Sequence, residues 1–252
     1  TNNNNYHYHN TTTNNNHNHH TTTNNNNNNY YYYHTTTNNN NNNHNNHHQT
    51  TTTTNIYHRV LTTQKCCIGA ETFSIFIGGI DEPRRPIGKS TKCKNHDSSN
   101  IDDGVCVIHL DAPVSGERFT TIRLPSSSQC SETFEGNKAT ITAWSRTLND
   151  DPSDTRLIHT DVIVNEKKVC KWANPELSTE GTMCTRDTKE PDDCGGYAGD
   201  PLTITDTDGE ETQIGIASFG PHTKADCYRE IGSPDGFVRI TSYQYLINIW
   251  SD

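Results

Sequence analysis

The first 55 residues of the chain contain almost nothing that could build a protein core. Residues 1–55 consist of Asn, Thr, His and Tyr with a single Gln, and they include no Asp, Glu, Lys, Arg, Gly, Pro or Cys. Such a tract cannot bury enough apolar surface to offset the entropy lost when its backbone orders, so low-complexity disorder is its physical default. We therefore expect residues 60–252 to carry the fold. Residues 1–59 are either a disordered tail or an unreliable record of an ordinary N-terminal sequence that replaces the first strands.

Histidines are the feature of this tract that would suit a metal. All but His34 fall into three groups whose imidazoles could bind Zn, Cu or Ni weakly: His7/His9, His17/His19/His20 and His44/His47/His48. Histidines in such surroundings are more often simply solvated, so we predict no metal site and no cofactor. A His-rich metal-binding protein stays an alternative.

Charge and cysteine content narrow the class of protein. The 252 residues carry a formal net charge of -10, and they contain no apolar run of membrane-spanning length. An acidic surface disfavours nonspecific binding to nucleic acid. Nine cysteines indicate an oxidising, extracellular compartment, and their odd number leaves at least one thiol unpaired or intermolecular. We predict a secreted protein with no nucleic-acid or membrane partner.

Residues 71–79 and 105–110 are predicted to be strands, because β-branched and aromatic residues alternate with polar ones there.

Several motifs occur in one familiar order. Residues 194–202 read Cys-Gly-Gly-Tyr-Ala-Gly-Asp-Pro-Leu, which has the frame of a serine-protease nucleophile loop. Val-Leu-Thr-Thr-Gln-Lys-Cys at 60–66 is similar to V-L-T-A-A-H-C, and Ala-Thr-Ile-Thr-Ala-Trp-Ser-Arg-Thr at 139–147 is similar to A-T-V-T-G-W-G-R-T. Segments 105–110, 181–184, 216–220 and 234–240 complete the series. The chain resembles the trypsin/chymotrypsin family, which implies two antiparallel six-stranded β-barrels and a C-terminal helix.

The resemblance implies an all-β fold and divides residues 60–252 into a first barrel up to about residue 124 and a second barrel after it. The strands of the second barrel would cover residues 136–146, 155–164, 202–204, 213–219 and 236–240, and the terminal helix residues 243–250. The resemblance also bears on the N-terminal tract, which occupies the place of the family's first strands. A half-built barrel would expose strand edges and unpaired backbone groups, which favours an unreliable record over a true tail.

The resemblance implies that the catalytic triad is degenerate. Lys65 stands at the general-base histidine, Gly104 at the buried aspartate and Ala198 at the nucleophilic serine. A lysine with a pKa of about 10.4 is protonated at neutral pH and cannot take a proton from serine, while glycine has no carboxylate and an alanine methyl cannot attack a carbonyl. We therefore expect no peptidase activity. If the register is shifted by one residue, Asp103 is the counterpart of the buried aspartate. The losses at Lys65 and Ala198 remain in either register.

Parts of the family's binding apparatus are kept and parts are lost. Gly196 corresponds to the glycine that donates its N–H to the oxyanion, and Asp192 to the aspartate at the floor of the primary specificity pocket, with Ser218 and Gly220 on the pocket wall. A buried Asp192 would favour Arg or Lys in a bound protein; the alternative is that Asp192 is simply exposed in an acidic loop. Tyr197 replaces the aspartate that pairs with a new N-terminus after zymogen cleavage, so we expect no activation of that kind.

The resemblance implies two disulfides, Cys170–Cys184 and Cys194–Cys227. Cys66 matches a family cysteine whose partner lies upstream, where this chain has no cysteine, so it must find another partner or stay reduced. Cys106 stands where the family strand has a small buried alanine, and we expect a packed free thiol there. The resemblance assigns no partner to the other three, Cys67, Cys93 and Cys130.

Inactive paralogues of this family are common in arthropods, and the scaffold supports binding as readily as catalysis. The sequence therefore predicts a secreted, inactive protease homologue that binds a protein, such as a protease, a protease substrate or an inhibitor, as a decoy, inhibitor or cofactor in a proteolytic or immune cascade. The alternative within the family is a serine-type endopeptidase with residual or unconventional activity.

Overall fold

The chain was analysed as a computed structural model, which describes residues 20–24, 29–31, 56–77, 88–96, 104–115, 121–146, 155–173, 175, 180–187, 198–219 and 234–250. The strands in these ranges are β1 His20–Asn24, β2 Asn29–Tyr31, β3 Ile56–Thr63, β4 Phe73–Ile77, β5 Gly88–Ser90, β6 Lys92–Asn95, β7 Val105–Ser115, β8 Lys138–Arg146, β9 Thr155–Val164, β10 Thr182–Asp187, β11 Pro201–Thr205, β12 Glu211–Phe219 and β13 Gly236–Arg239. The helices are α1 Gln64–Cys67, α2 Lys167–Ala173 and α3 Ile240–Ile249, with one 3-10 turn at Ser127–Gln129.

Six strands of the second half close into a barrel. Their order around the ring is β10-β13-β12-β11-β8-β9, and every neighbouring pair is antiparallel. The longest ladder, β8 with β9, runs without a break from Lys138 opposite Ile163 to Arg146 opposite Thr155. Alternate side chains of a strand face the interior of such a ring, and Met183, Leu202 and Ile214 are among those that fill it. The predicted all-β fold, with a barrel followed by a C-terminal helix, is confirmed.

The first half consists of two sheets in the part of the chain that the structure describes. One sheet has the order β2-β1-β4-β5 and the other the order β3-β7-β6. Two of these strands, β1 and β2, come from the Asn/Thr/His/Tyr tract, and β3 begins at Ile56, before the predicted boundary at residue 59. That boundary, and the closure of this half into a six-stranded ring, stay predictions.

A cluster of apolar side chains joins the two halves. We call it the shared cluster, and its buried members come from β3, β7, β12, β13 and α3: Leu61, Val105, Val107, Ile216, Val238, Ile240, Tyr243 and Ile247. Because strands of both halves and the terminal helix bury apolar surface against one another here, the hydrophobic effect favours their folding as one unit. The predicted terminal helix is confirmed, and it begins at Ile240, three residues earlier than expected.

Arg239, at the end of β13, is a buried cation. Arg239 is only 4 % exposed. Its guanidinium donates hydrogen bonds to the carbonyl oxygens of Thr133 at 2.7 Å and Thr182 at 2.9 Å. Burial lowers the pKa of Arg239, while Glu135 and Glu180 raise it. The guanidinium therefore ties β13 to β10 and to the segment before β8.

Two disulfides occur in the described residues, and one of them overturns an expectation. Cys170–Cys184 joins α2 to β10, as the resemblance implied. Cys106 does not hold a free thiol: it is bonded to Cys67, because α1 places Cys67 against the face of β7 that carries Cys106. The predicted partners Cys194 and Cys227 lie outside the described residues. Within those residues, no helix has the length and apolar character needed to cross a membrane.

Candidate functional site

The short helix α1 carries Lys65 and contacts the segments that hold the other two predicted triad positions, Gly104 and Ala198. It follows β3 directly and carries Gln64, Lys65 and Cys66 in consecutive positions. Each of these three residues contacts a different part of the predicted site: Gly104, Ser218 and Ala198, respectively. The geometry therefore centres on a single turn of helix at the junction between the two halves of the molecule.

Lys65 reaches from the first half to the second. Its Nζ donates a hydrogen bond to the backbone carbonyl oxygen of Ser218, on β12, at 3.3 Å. A protonated ammonium has three donors and no lone pair, so in this state Lys65 can orient a carbonyl or attract an anion but cannot accept a proton. Chemically, the residue acts as a cationic link between α1 and the barrel.

Gln64 occupies the space that a side chain at Gly104 would need. The Gln64 backbone N–H donates to the Gly104 carbonyl oxygen at 2.8 Å, and the Gln64 side chain is only 2 % exposed. A Cβ built on Gly104 would lie 2.8 Å from Gln64 Cβ and 2.9 Å from Gln64 Cδ, closer than non-bonded carbons approach. Any residue larger than glycine at position 104 therefore requires Gln64 to move.

Ala198 lies in an apolar setting at the start of the segment leading into β11. It is 4 % exposed and belongs to a buried cluster with Cys66, Phe73 and Cys106. The Cys66 thiol donates to the Ala198 carbonyl oxygen at 3.4 Å. Gly199 follows with a φ of 107°, a conformation that favours glycine. The methyl group of Ala198 thus packs in the core of the first half and offers no nucleophilic atom.

Ser218 is the described member of the predicted specificity pocket. Its side chain is fully buried, and among the described residues its Oγ has no hydrogen-bond partner. Asp192, Gly196 and Gly220 lie outside the described residues, and the pocket stays a prediction.

Sequence reasoning missed Gln64 and the role of the Cys66 thiol. Gln64 stands where V-L-T-A-A-H-C has its second alanine, and Gly104 stands where the family has aspartate. Relative to the family motif, position 64 gains a larger side chain and position 104 loses one. These two opposite changes could have indicated the contact, but only with the knowledge that the two positions touch.

The fold defines a class of protein: a closed antiparallel six-stranded barrel, a second β half joined to it through a shared apolar cluster, and a C-terminal helix that packs across both. This is the trypsin-like fold. The trypsin family model matches residues 22–247, and the chain belongs to the trypsin family.

Known relatives agree with this assignment. A collagenase from Hypoderma lineatum is 28% identical over 190 residues, covering 73% of this chain and 69% of that protein. A venom protease from Bombus pensylvanicus is 28% identical over 202 residues, covering 75% of this chain and 79% of that protein. The solved HL collagenase structure superposes with a TM-score of 0.64 at 25% identity, over 77% of this chain and 82% of that chain. Trypsin-family proteins are normally serine endopeptidases that act on protein substrates.

Proposed function

We propose that this chain is a secreted, catalytically inactive member of the trypsin family that acts by binding a protein. The observation that carries the proposal is the pair Lys65 and Ala198, which supply neither a proton acceptor nor an attacking oxygen at the predicted triad positions. The three triad groups act as a unit in the family's chemistry, so the loss of two is enough to remove turnover.

The contact between Gln64 and Gly104 supports the same proposal from packing. With Gln64 buried where a side chain at position 104 would lie, an aspartate could not be accommodated without displacing the helix turn or the glutamine. The third triad position is therefore filled by a neighbour rather than merely empty. A single reversion at any of the three positions would leave the site without its geometry.

Several features support a binding role outside cells. The disulfides Cys67–Cys106 and Cys170–Cys184 suit an oxidising compartment. The relatives are named as a collagenase and a venom protease, so the scaffold descends from proteins that engage other proteins. We infer that the partner is a protease, a protease substrate or a protease inhibitor, held at the cleft rim or on neighbouring loops.

The test of inactivity is a panel of fluorogenic Arg, Phe and Leu peptide esters, with an active trypsin-family protease as the positive control. We expect the wild-type chain and its Lys65→Ala variant to give the same background rate. Turnover by the wild type that Lys65→Ala abolishes would overturn the proposal and favour the residual-activity alternative.

The binding role is tested with a protein protease inhibitor that presents arginine at its reactive loop. Titration calorimetry should detect binding by the wild type and weaker binding by Asp192→Asn, because that change removes the charge but keeps the size of the side chain. The loss of a hydrogen bond to a charged group, about 1.5–3 kcal/mol, corresponds to an affinity decrease of roughly tenfold or more. Equal affinity of the two proteins would remove Asp192 from the binding site.

A further inference from the structure

Three cysteine sulfurs of the first half lie together. The Sγ atoms of Cys67, Cys93 and Cys106 are all within 4.8 Å of one another. Two of them, Cys67 and Cys106, form a disulfide, while Cys93 keeps a free thiol. A thiol this close to a disulfide is placed to react with it, because exchange proceeds by attack of one sulfur on another.

The strand register explains why the three sulfurs meet. Cys93 on β6 is paired with Ile108 on β7, and Cys106 lies two residues before Ile108 on the same strand. Residues two apart share a face of a sheet, so Cys93 and Cys106 are diagonal neighbours on one face. Cys67 approaches this face from α1, and half-buried Cys93 packs against the same apolar cluster.

We propose that Cys67, Cys93 and Cys106 form an intramolecular thiol–disulfide exchange site with two alternative bonds to Cys106. In the step, the Cys93 thiolate attacks Cys106 Sγ, a Cys93–Cys106 bond forms, and the Cys67–Cys106 bond breaks. Cys67 leaves as a thiolate and takes up the proton that Cys93 released. The number of disulfides is unchanged, so no external oxidant or reductant is consumed.

The two bonds differ in what they restrain. Cys67–Cys106 ties α1 to β7, whereas Cys93–Cys106 would join β6 and β7, which are already paired through their backbones. Exchange therefore releases α1, the helix that carries Gln64 and Lys65. Burial raises the pKa of the Cys93 thiol, which keeps it protonated at rest and makes the exchange slow.

The first experiment traps the released thiol in the folded, full-length protein. Wild-type protein is incubated with a low concentration of N-ethylmaleimide, acid-quenched, digested without reduction and analysed by mass spectrometry. We expect a growing fraction with the label on Cys67 and a Cys93–Cys106 link. Cys93→Ser should never show label on Cys67, and Cys130→Ser, which removes an exposed thiol elsewhere, should behave like the wild type.

The second experiment removes the resident partner. In Cys67→Ser folded with glutathione disulfide as the oxidant, we expect Cys93 to be linked to Cys106 and to lose its N-ethylmaleimide labelling. The proposal is overturned if Cys93 and Cys106 both remain unlinked in this variant. It is equally overturned if the wild type takes up label on Cys93 and never on Cys67 at any incubation time.

Discussion

The contact between Gln64 and Gly104 predicts a strong energetic coupling between two positions that are 40 residues apart. A methyl group added by Gly104→Ala would overlap Gln64 Oε1 and would lie 2.8 Å from Gln64 Cβ and 2.9 Å from Gln64 Cδ. Overpacking of this kind in a tight interior costs about 1–3 kcal/mol. Since a domain of this size loses roughly 2–4 °C of Tm per kcal/mol, we expect Gly104→Ala to melt several degrees below the wild type.

Gln64→Ala removes Oε1 and Cδ but keeps Cβ, so it should relieve part of this clash, namely the overlap with Oε1 and the 2.9 Å contact with Cδ. The double variant is then expected to lose less free energy of unfolding than the two single variants lose together. The difference is an interaction free energy of about 0.5–3 kcal/mol. Urea unfolding followed by intrinsic fluorescence, on all four proteins at one pH, measures that free energy directly.

Gly215→Ala is the matched control. Its added Cβ would lie 3.2–3.3 Å from Phe237 and Leu202, inside the barrel, and it would not meet Gln64. Its effect on the free energy of unfolding should simply add to that of Gln64→Ala. Additive behaviour of the Gly104 pair would refute the view that Gln64 fills the space beside position 104.

Substitutions at three further places should change the stability of the protein. Arg239→Met should lower the free energy of unfolding by about 2–4 kcal/mol in urea titrations, because two buried carbonyls lose a charged donor. Replacing both Cys170 and Cys184 by Ala should cost about 3 kcal/mol in the same assay, since the bond closes a loop with a sequence separation of 14. The hydrogen bond from Arg123 lowers the pKa of Asp208 to about 2, below the unfolded value of about 3.9. Its contribution is therefore present above about pH 4 and lost towards pH 2, so thermal melts should show a smaller acid-induced fall in Tm for Asp208→Asn.

Each of these has a contradicting result. An Arg239→Met protein as stable as the wild type would mean that water replaces the guanidinium at both carbonyls. Unchanged stability without the Cys170–Cys184 bond would mean that the unfolded chain gains no freedom from its loss. Parallel Tm profiles of wild type and Asp208→Asn between pH 4 and pH 2 would show that the exposed ion pair with Arg123 is fully screened.

The strands of the barrel were the most predictable part of the fold. The prediction for residues 155–164 matches β9 at both ends, and a turn-rich stretch at residues 149–153 precedes its first residue. The strand β10, Thr182–Asp187, was missed because it is short and lacks an alternation of apolar and polar residues. At β7, pairing with Ile56 extends the strand to Ser115, beyond the last residue of the apolar pattern.

For the candidate site, the motifs assign Lys65, Gly104 and Ala198 to the triad positions one residue at a time, and that assignment stays a prediction. The bond Cys170–Cys184, which followed from the same resemblance, is present in the structure. The Cys67–Cys106 bond could not be predicted, because it depends on how α1 packs on β7. The same holds for Gln64, whose burial depends on a neighbour distant in sequence.

The shared cluster has a consequence for how the protein is made. Its helical members Ile240, Tyr243 and Ile247 are translated after every strand that they cover. On the ribosome, β3, β7, β12 and β13 can therefore be made before the helix that completes their cluster. Until residues 240–247 are synthesised, part of the apolar surface of the shared cluster lacks its cover.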